Sequence, residues 1–179
     1  MIIVDVETGG LDPRYNPLLS IGAVEYEHPF NIFYAEIKPL SGLTSNVKAL
    51  QVNGIDLEKW STKPNLHSVM NKFFIWIQGT QEKTLAGHNS SFDRDFCNVN
   101  FRRIGFGNIF NHRTIDLHSV AYTVFTKKKV FFDRLTSDEI YRLLGMPEEP
   151  KPHNALNGAV WETEAFAKLL HNKVLGLVK

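Results

Sequence analysis

Apolar residues follow two patterns along this chain of 179 residues. Short apolar runs rich in β-branched residues, such as residues 1–4, are typical of buried strands. Residues 92–104 and 156–172 instead repeat apolar side chains at helical spacing. Since the first third is rich in predicted strands and the rest alternates helices with short strands, the pattern predicts an α/β fold of three layers.

Composition narrows the class of protein. With 43% hydrophobic residues, a chain of this length can bury a substantial core, so we expect one domain over residues 1–179. No apolar run approaches the roughly eighteen residues that a membrane span needs, so we expect no membrane partner. Residue 1 opens the first predicted strand and Cys97 is the single cysteine, which favours a cytoplasmic protein without a signal peptide or internal disulfide.

The first candidate site residues are Asp5 and Glu7, which lie where the first predicted strand ends. Their spacing of two places both side chains on one face of an extended backbone, where their oxygens can converge on a hard cation. Thr8 then leads into a glycine turn. A solvated strand end has the same sequence, because Asp-x-Glu recurs by chance.

A second candidate segment starts at an apolar stub, residues 85–87, that ends in His88 and Asn89. Ser90 or Ser91 is suited to cap the helix that follows, and this places Asp93 in the first helical turn. The helix dipole favours an acidic residue there without any catalytic purpose, so a structural role and a ligand role both remain open.

A third segment surrounds His153. A helix predicted over residues 137–144 ends at Gly145, and His153 then stands in a loop just before the helix that begins near Leu156. A loop histidine close to a helix start can enter a cleft and serve as a general base. A solvated histidine would have the same surroundings, and the chain contains 7 histidines.

In this order, the three segments resemble the DEDDh branch of the 3'-to-5' exonucleases, which includes ribonuclease T and the proofreading subunit of bacterial DNA polymerase III. The resemblance also covers residues 11–13, 21–24, 49–55 and 114–117, and it spans nearly all of the chain. It implies an RNase H-like three-layer fold with a central mixed β-sheet flanked by helices, and a single exonuclease domain over residues 1–179.

The resemblance implies a chemistry as well. Asp5, Glu7 and Asp93 would bind two Mg²⁺ or Mn²⁺ ions, and His153 would be the general base in hydrolysis of single-stranded nucleic acid from its 3' end, with DNA favoured over RNA. The residues expected to contact the terminal nucleotides are Thr8, Leu11, His88, Asn89 and Phe92. The partner would be a DNA or RNA 3' end, and the resemblance leaves homodimer formation and association with a polymerase open.

The chain departs from the family pattern at Gly158, where the family has a fourth metal-binding Asp five residues after the histidine. Asn157 is a poor substitute, because a neutral amide supplies a weak oxygen and no charge. Glu162 lies one helical turn further, about 5.4 Å along the same face, and its longer side chain offers partial compensation. We therefore expect impaired activity; the alternative is a catalytically silent module that binds 3' ends or a protein partner.

Charge excludes one class of protein and leaves another open. A net charge of +1 argues against a protein that holds long duplexes by neutralising phosphates, but a nuclease that grips a few nucleotides needs no global positive field. The basic run at residues 127–129 fits a solvated loop as well as a strand contact. An RNase H-like nuclease with internal cleavage is a further alternative.

Overall fold

The computed structural model describes residues 1–178. The strands are β1 (Ile2–Thr8), β2 (Leu18–Glu25), β3 (Ile32–Glu36), β4 (Leu85–Gly87) and β5 (Ile115–Asp116). The helices are α1 (Val47–Val52), α2 (Leu57–Trp60), α3 (Leu66–Gly79), α4 (Ser90–Arg103), α5 (Leu117–Lys127), α6 (Ser137–Leu143) and α7 (Ala155–His171). Within residues 1–178, every helix is too short or too polar to cross a membrane.

The strands form one mixed sheet with the order β3-β2-β1-β4-β5. β2 pairs antiparallel with β1 and β3, whereas β4 pairs parallel with β1 and β5. The predicted mixed sheet is confirmed. Because β1 is the central strand, its side chains lie beneath helices on both faces of the sheet.

The two faces of β1 contribute to different cores. Ile2, Val4 and Val6 pack with residues of α3 and α4. Met1 and Ile3 pack on the other face with residues of α5, α6 and α7. Side chains alternate along a strand, so Asp5 and Glu7 continue the face of Met1 and Ile3, which α7 covers. The three-layer arrangement is confirmed, and it places both carboxylates under α7.

Two local predictions need correction. β1 extends to Thr8, so Asp5 and Glu7 lie within the strand, which is longer than the apolar run predicts. The cap of α4 is Asn89, in a left-handed conformation with φ 60°, and neither Ser90 nor Ser91 fills that position. The Asp116 carboxylate accepts hydrogen bonds from the backbone N–H groups of Asn89 and Ser90 at 2.8 and 3.3 Å. A carboxylate from β5 thus replaces a local side-chain cap.

A close approach at Gly22 brings α7 to the sheet. Gly22 lies opposite Asp5 in the β1–β2 register, and a Cβ atom at this position would overlap the backbone carbonyl of Ala155. Glycine therefore allows the start of α7 to rest directly on β2 beside Asp5. This contact sets which residues of α7 face the acidic side chains of β1.

Candidate active site

Three elements bring acidic side chains together at the end of β1. Asp5 and Glu7 come from the strand, Asp93 from the first turn of α4, and Glu162 from α7. Asp93 is 3% exposed, and its Oδ1 accepts a hydrogen bond from the Val6 N–H at 3.1 Å, which ties α4 to β1. The structure therefore brings together the three carboxylates that the sequence singled out as ligands and Glu162, which the sequence offered as partial compensation. We call these four residues the acidic cluster.

Glycine at position 87 marks where two of these carboxylates meet. A Cβ atom built there would lie 3.2 Å from Glu162 Oε2 and 3.9 Å from Asp93 Oδ2. The His88 N–H donates a hydrogen bond to Glu162 Oε1 at 3.1 Å. The end of β4 thus supports both the α4 and the α7 members of the acidic cluster.

The carboxylates perturb one another. Burial, and then the charge of Glu149, raises the pKa of Asp5 to about 7. Burial, and then the charge of Asp5, raises the pKa of Glu7 to about 9. The pKa values of Asp93 and Glu162 also lie well above the usual carboxyl range, first through burial and then through Asp5. Like charges in a desolvated site favour protonation unless a cation compensates them.

The donor set suits a hard divalent cation in its chemistry, because carboxylate oxygens are the ligands that Mg²⁺ and Mn²⁺ prefer. Glu162 Oε2 supports this fit, since it is the sole buried side-chain oxygen or nitrogen within residues 1–178 that lacks a hydrogen-bond partner. In the described part of the chain, no three His, Cys, Asp or Glu side chains lie close enough together to bind one metal ion. Cation binding would therefore require these carboxylates to move closer together.

Gly158 lies in the first turn of α7 and faces Asp5. A Cβ atom at position 158 would overlap Asp5 Oδ2 and would lie 2.7 Å from Asp5 Cγ. The Asp5 carboxylate thus occupies the space that a larger residue at 158 would need. A side chain at position 158 would therefore point at the acidic cluster.

His153 stands in the loop before α7, with its side chain 33% exposed. Its Nδ1 lies 3.5 Å from an oxygen of Glu149, whose side chain is 6% exposed. His153 and Glu7 line a common cavity of about 160 Å³. The histidine is therefore near the acidic cluster, as a general base would need to be.

The residues predicted to contact substrate divide into two groups. Thr8, Leu11 and Phe92 line one cavity of about 620 Å³ together with Glu7, and Leu11 is 85% exposed at its rim. The ring of His88 lies elsewhere, with Nε2 3.0 Å from the Leu135 carbonyl oxygen.

Asn89 also lies outside the residues that line this cavity. Its backbone N–H donates to Asp116, and its side chain is exposed at the start of α4. The structure therefore joins Thr8, Leu11 and Phe92 to the acidic cluster through Glu7. The contacts predicted for His88 and Asn89 stay predictions.

Comparison with known proteins decides the family. The exonuclease profile of the RNase T family matches residues 2–161. This chain belongs to the RNase T exonuclease family. The resemblance to the DEDDh exonucleases is confirmed by this match and by the relatives that follow.

The chain is 33% identical to the 3'-5' DNA exonuclease Cap18 of Escherichia coli over 172 residues, which cover 92% of this chain and 88% of that protein. It is 29% identical to ribonuclease T of Haemophilus influenzae over 118 residues, which are 58% of this chain and 52% of the relative. It is 30% identical to the PolC-type DNA polymerase III of Halalkalibacterium halodurans over 112 residues, 62% of this chain but only 8% of the polymerase.

Solved structures confirm the RNase H-like exonuclease fold. E. coli exonuclease I in complex with a 5cy-dT13 oligonucleotide superposes with a TM-score of 0.78 at 17% identity, over 98% of this chain and 41% of that chain. The nuclease domain of 3'hExo, a DEDDh family member bound to rAMP, superposes with a TM-score of 0.74 at 16% identity, over 99% of this chain and 94% of that domain.

Sequence reasoning missed Glu149. It precedes His153 by four residues, but the intervening segment is a proline-rich loop and not a helix, so the spacing predicts no contact. The acidic, proline-rich composition of that loop was the only signal. Contact between the two side chains is a result of how the loop folds against the sheet.

The unfolding free energy of the protein in EDTA should fall as the pH rises from about 5 to about 8. The pKa of Asp5 rises from 3.8 to about 7 on folding and that of Glu7 from 4.5 to about 9. The folded state therefore retains protons that the unfolded chain has released. This contribution is complete below the unfolded pKa values and is lost as the pH passes through the folded ones.

Urea denaturation at both pH values measures this effect. Asp5→Asn removes one perturbed group and should flatten the dependence, and added Mn²⁺ should offset the loss at the higher pH. A wild-type protein that becomes more stable across this range would contradict the account of the acidic cluster.

Proposed function

We propose that this chain is a metal-dependent exonuclease that hydrolyses the terminal phosphodiester of a single-stranded nucleic acid from its 3' end, with DNA favoured over RNA. The observation that carries the proposal is the convergence of the acidic cluster beside His153 and an open cavity. Support for DNA comes from Cap18, which is named as a DNA exonuclease and is matched over 88% of its length.

Asp5, Glu7 and Asp93 would hold the cations, Mg²⁺ or Mn²⁺. When bound, such ions supply Lewis acidity that activates water and stabilises the departing oxygen. His153 accepts the proton of the attacking water, since its loop position leaves the ring partly exposed beside Glu7. Glu149 is a positioning residue, because its carboxylate faces Nδ1 and leaves Nε2 for proton transfer.

The cavity lined by Thr8, Leu11 and Phe92 would receive the terminal nucleoside. Its apolar side chains suit a base face, which stacks on apolar and aromatic surfaces without reading sequence. Glu7 belongs to this cavity and to the acidic cluster, so a base held there places its phosphate close to the carboxylates. A duplex end would have to separate before one nucleoside could enter.

Gly158 supports a second candidate function. With no side chain at 158, the site has one carboxylate fewer than the family pattern, so we expect reduced turnover. A catalytically silent module that binds 3' ends or a protein partner is the alternative. Polymerase association draws support from the PolC-type relatives alone, and it remains a proposal, as does a homodimer.

Product analysis on a single strand tests the activity. With Mn²⁺ and a 5'-labelled DNA strand, we expect products that shorten one nucleotide at a time, faster than with the matching RNA. A strand with a blocked 3' end should persist, since attack must begin at the terminus.

Each alternative has its own outcome in that experiment. Internal fragments from the blocked strand would indicate an RNase H-like endonuclease. Intact strands, together with saturable and salt-sensitive binding measured by fluorescence anisotropy, would indicate a binding module.

A further inference from the structure

Glu162 is buried without the partners that a buried carboxylate needs. Glu162 is 5% exposed, and its Oε1 accepts a hydrogen bond from the His88 N–H at 3.1 Å. The other oxygen, Oε2, has no hydrogen-bond partner. Buried carboxylates are normally paired or coordinate a cation, because desolvation without compensation is costly.

Apart from the His88 N–H, the surroundings of Glu162 offer repulsion. Oε2 and Asp93 Oδ2 both lie near Gly87, and the charges of Asp5 and Asp93 act on the Glu162 carboxyl. Glu164, two residues further along α7, shows the contrast. It is also fully buried, but its oxygens accept the backbone N–H groups of Leu175 and Leu177 at 2.8 and 3.0 Å.

The unpartnered oxygen thus points into the acidic cluster. We propose that Glu162 is a metal ligand in this chain and supplies, from one helical turn further along α7, the carboxylate that position 158 lacks. This inference rests on the proposed metal-dependent function.

The geometry of α7 explains how Glu162 can take the place of an acidic residue at position 158. Gly158 leaves room for the Asp5 carboxylate to turn toward the helix. A residue four positions later lies on the same helix face, about 5.4 Å further along the axis. Glu has one methylene more than Asp, which extends its reach back toward Asp5, and the His88 N–H holds its Oε1 in place.

Calorimetric titration of the full chain with Mn²⁺ tests the proposal without any measurement of turnover. Glu162→Gln should weaken Mn²⁺ binding by roughly tenfold or more, because loss of even an outer-shell partner typically costs 10- to 100-fold. Glu164→Gln is the matched control on the same helix and should bind as the wild type does. Adding Gly158→Asp to Glu162→Gln should restore affinity, since the two positions would supply the same ligand.

The outcomes separate this inference from the proposed function. Equal affinity of Glu162→Gln and wild type would overturn the role of Glu162, while loss of binding in Asp5→Asn would still support the metal site. No loss in Asp5→Asn would overturn the proposed function itself. If circular dichroism shows that Glu162→Gln is unfolded, Glu162→Asp replaces it; its shorter acid should also weaken binding, and unchanged affinity would overturn the inference.

Discussion

Gly158→Asp should raise the rate of 3'-end hydrolysis on the order of 10²-fold or more, the lower end of the range typical for assisted proton transfer. An Asp at this position projects from the first turn of α7 toward Asp5 and would hold the cation directly, whereas Glu162 reaches the cation from one helical turn further along and replaces that ligand only in part. Asp5 must rotate, because its carboxylate occupies that space. Single-turnover hydrolysis of a labelled DNA strand at saturating Mn²⁺ measures the gain.

Two controls test the cause of the gain: one separates the added charge from the added bulk, and the other tests the general base. Gly158→Ala also displaces Asp5 but adds no ligand, so it should give no gain. Adding His153→Ala to Gly158→Asp should abolish the gain, because water activation would then lack its base. If the Asp variant is no faster than the wild type, position 158 is not the defect; a gain that survives His153→Ala would leave the metal argument standing and remove the general base.

Asp5→Asn should abolish Mn²⁺ binding at the acidic cluster and should lower hydrolysis at least about 10³-fold, since metal ions supply several kcal/mol and each ~1.4 kcal/mol is tenfold in rate. Asp5 is the member whose charge acts on Glu7, Asp93 and Glu162, so it lies at the centre of the acidic cluster. Asn keeps its size and removes the charge. Calorimetry with Mn²⁺ and the single-turnover assay measure the two losses.

The matched control for this substitution is Asp133→Asn. The Asp133 side chain is 80% exposed and forms an ion pair with Arg134. Removing its charge should leave Mn²⁺ binding and hydrolysis unchanged. Identical binding heats for wild type and Asp5→Asn would remove Asp5 from the metal site. In EDTA at about pH 8, Asp5→Asn should unfold at a higher temperature than the wild type, because it lacks a carboxylate that the rest of the acidic cluster repels.

The sequence by itself determined the features that depend on neighbouring residues in the chain. The apolar run that starts at residue 1 predicts β1, and strand periodicity places Asp5 and Glu7 on one face. Helical spacing predicts α4 with Asp93 in its first turn, and it predicts the bounds of α6 and α7 to within about a residue or two. The order of these segments was enough to recognise the family.

Only the tertiary structure decided which side chains meet across elements. The sequence presents Glu162 as a distant substitute, whereas the packing of α7 on β2 at Gly22 places its carboxylate between Asp93 and the His88 N–H. The loop before α7 brings Glu149 to His153, a contact that loop spacing does not predict.

The same distinction applies to the substrate residues and to the cap of α4. The sequence placed His88 with Leu11 among the substrate contacts, but the His88 ring faces the Leu135 carbonyl and does not line the cavity that contains Leu11. Asn89 caps α4 because Asp116 of β5 receives the free N–H groups. Periodicity reports which face of an element is buried, but the partner on that face depends on how whole elements pack, and no local pattern contains that information.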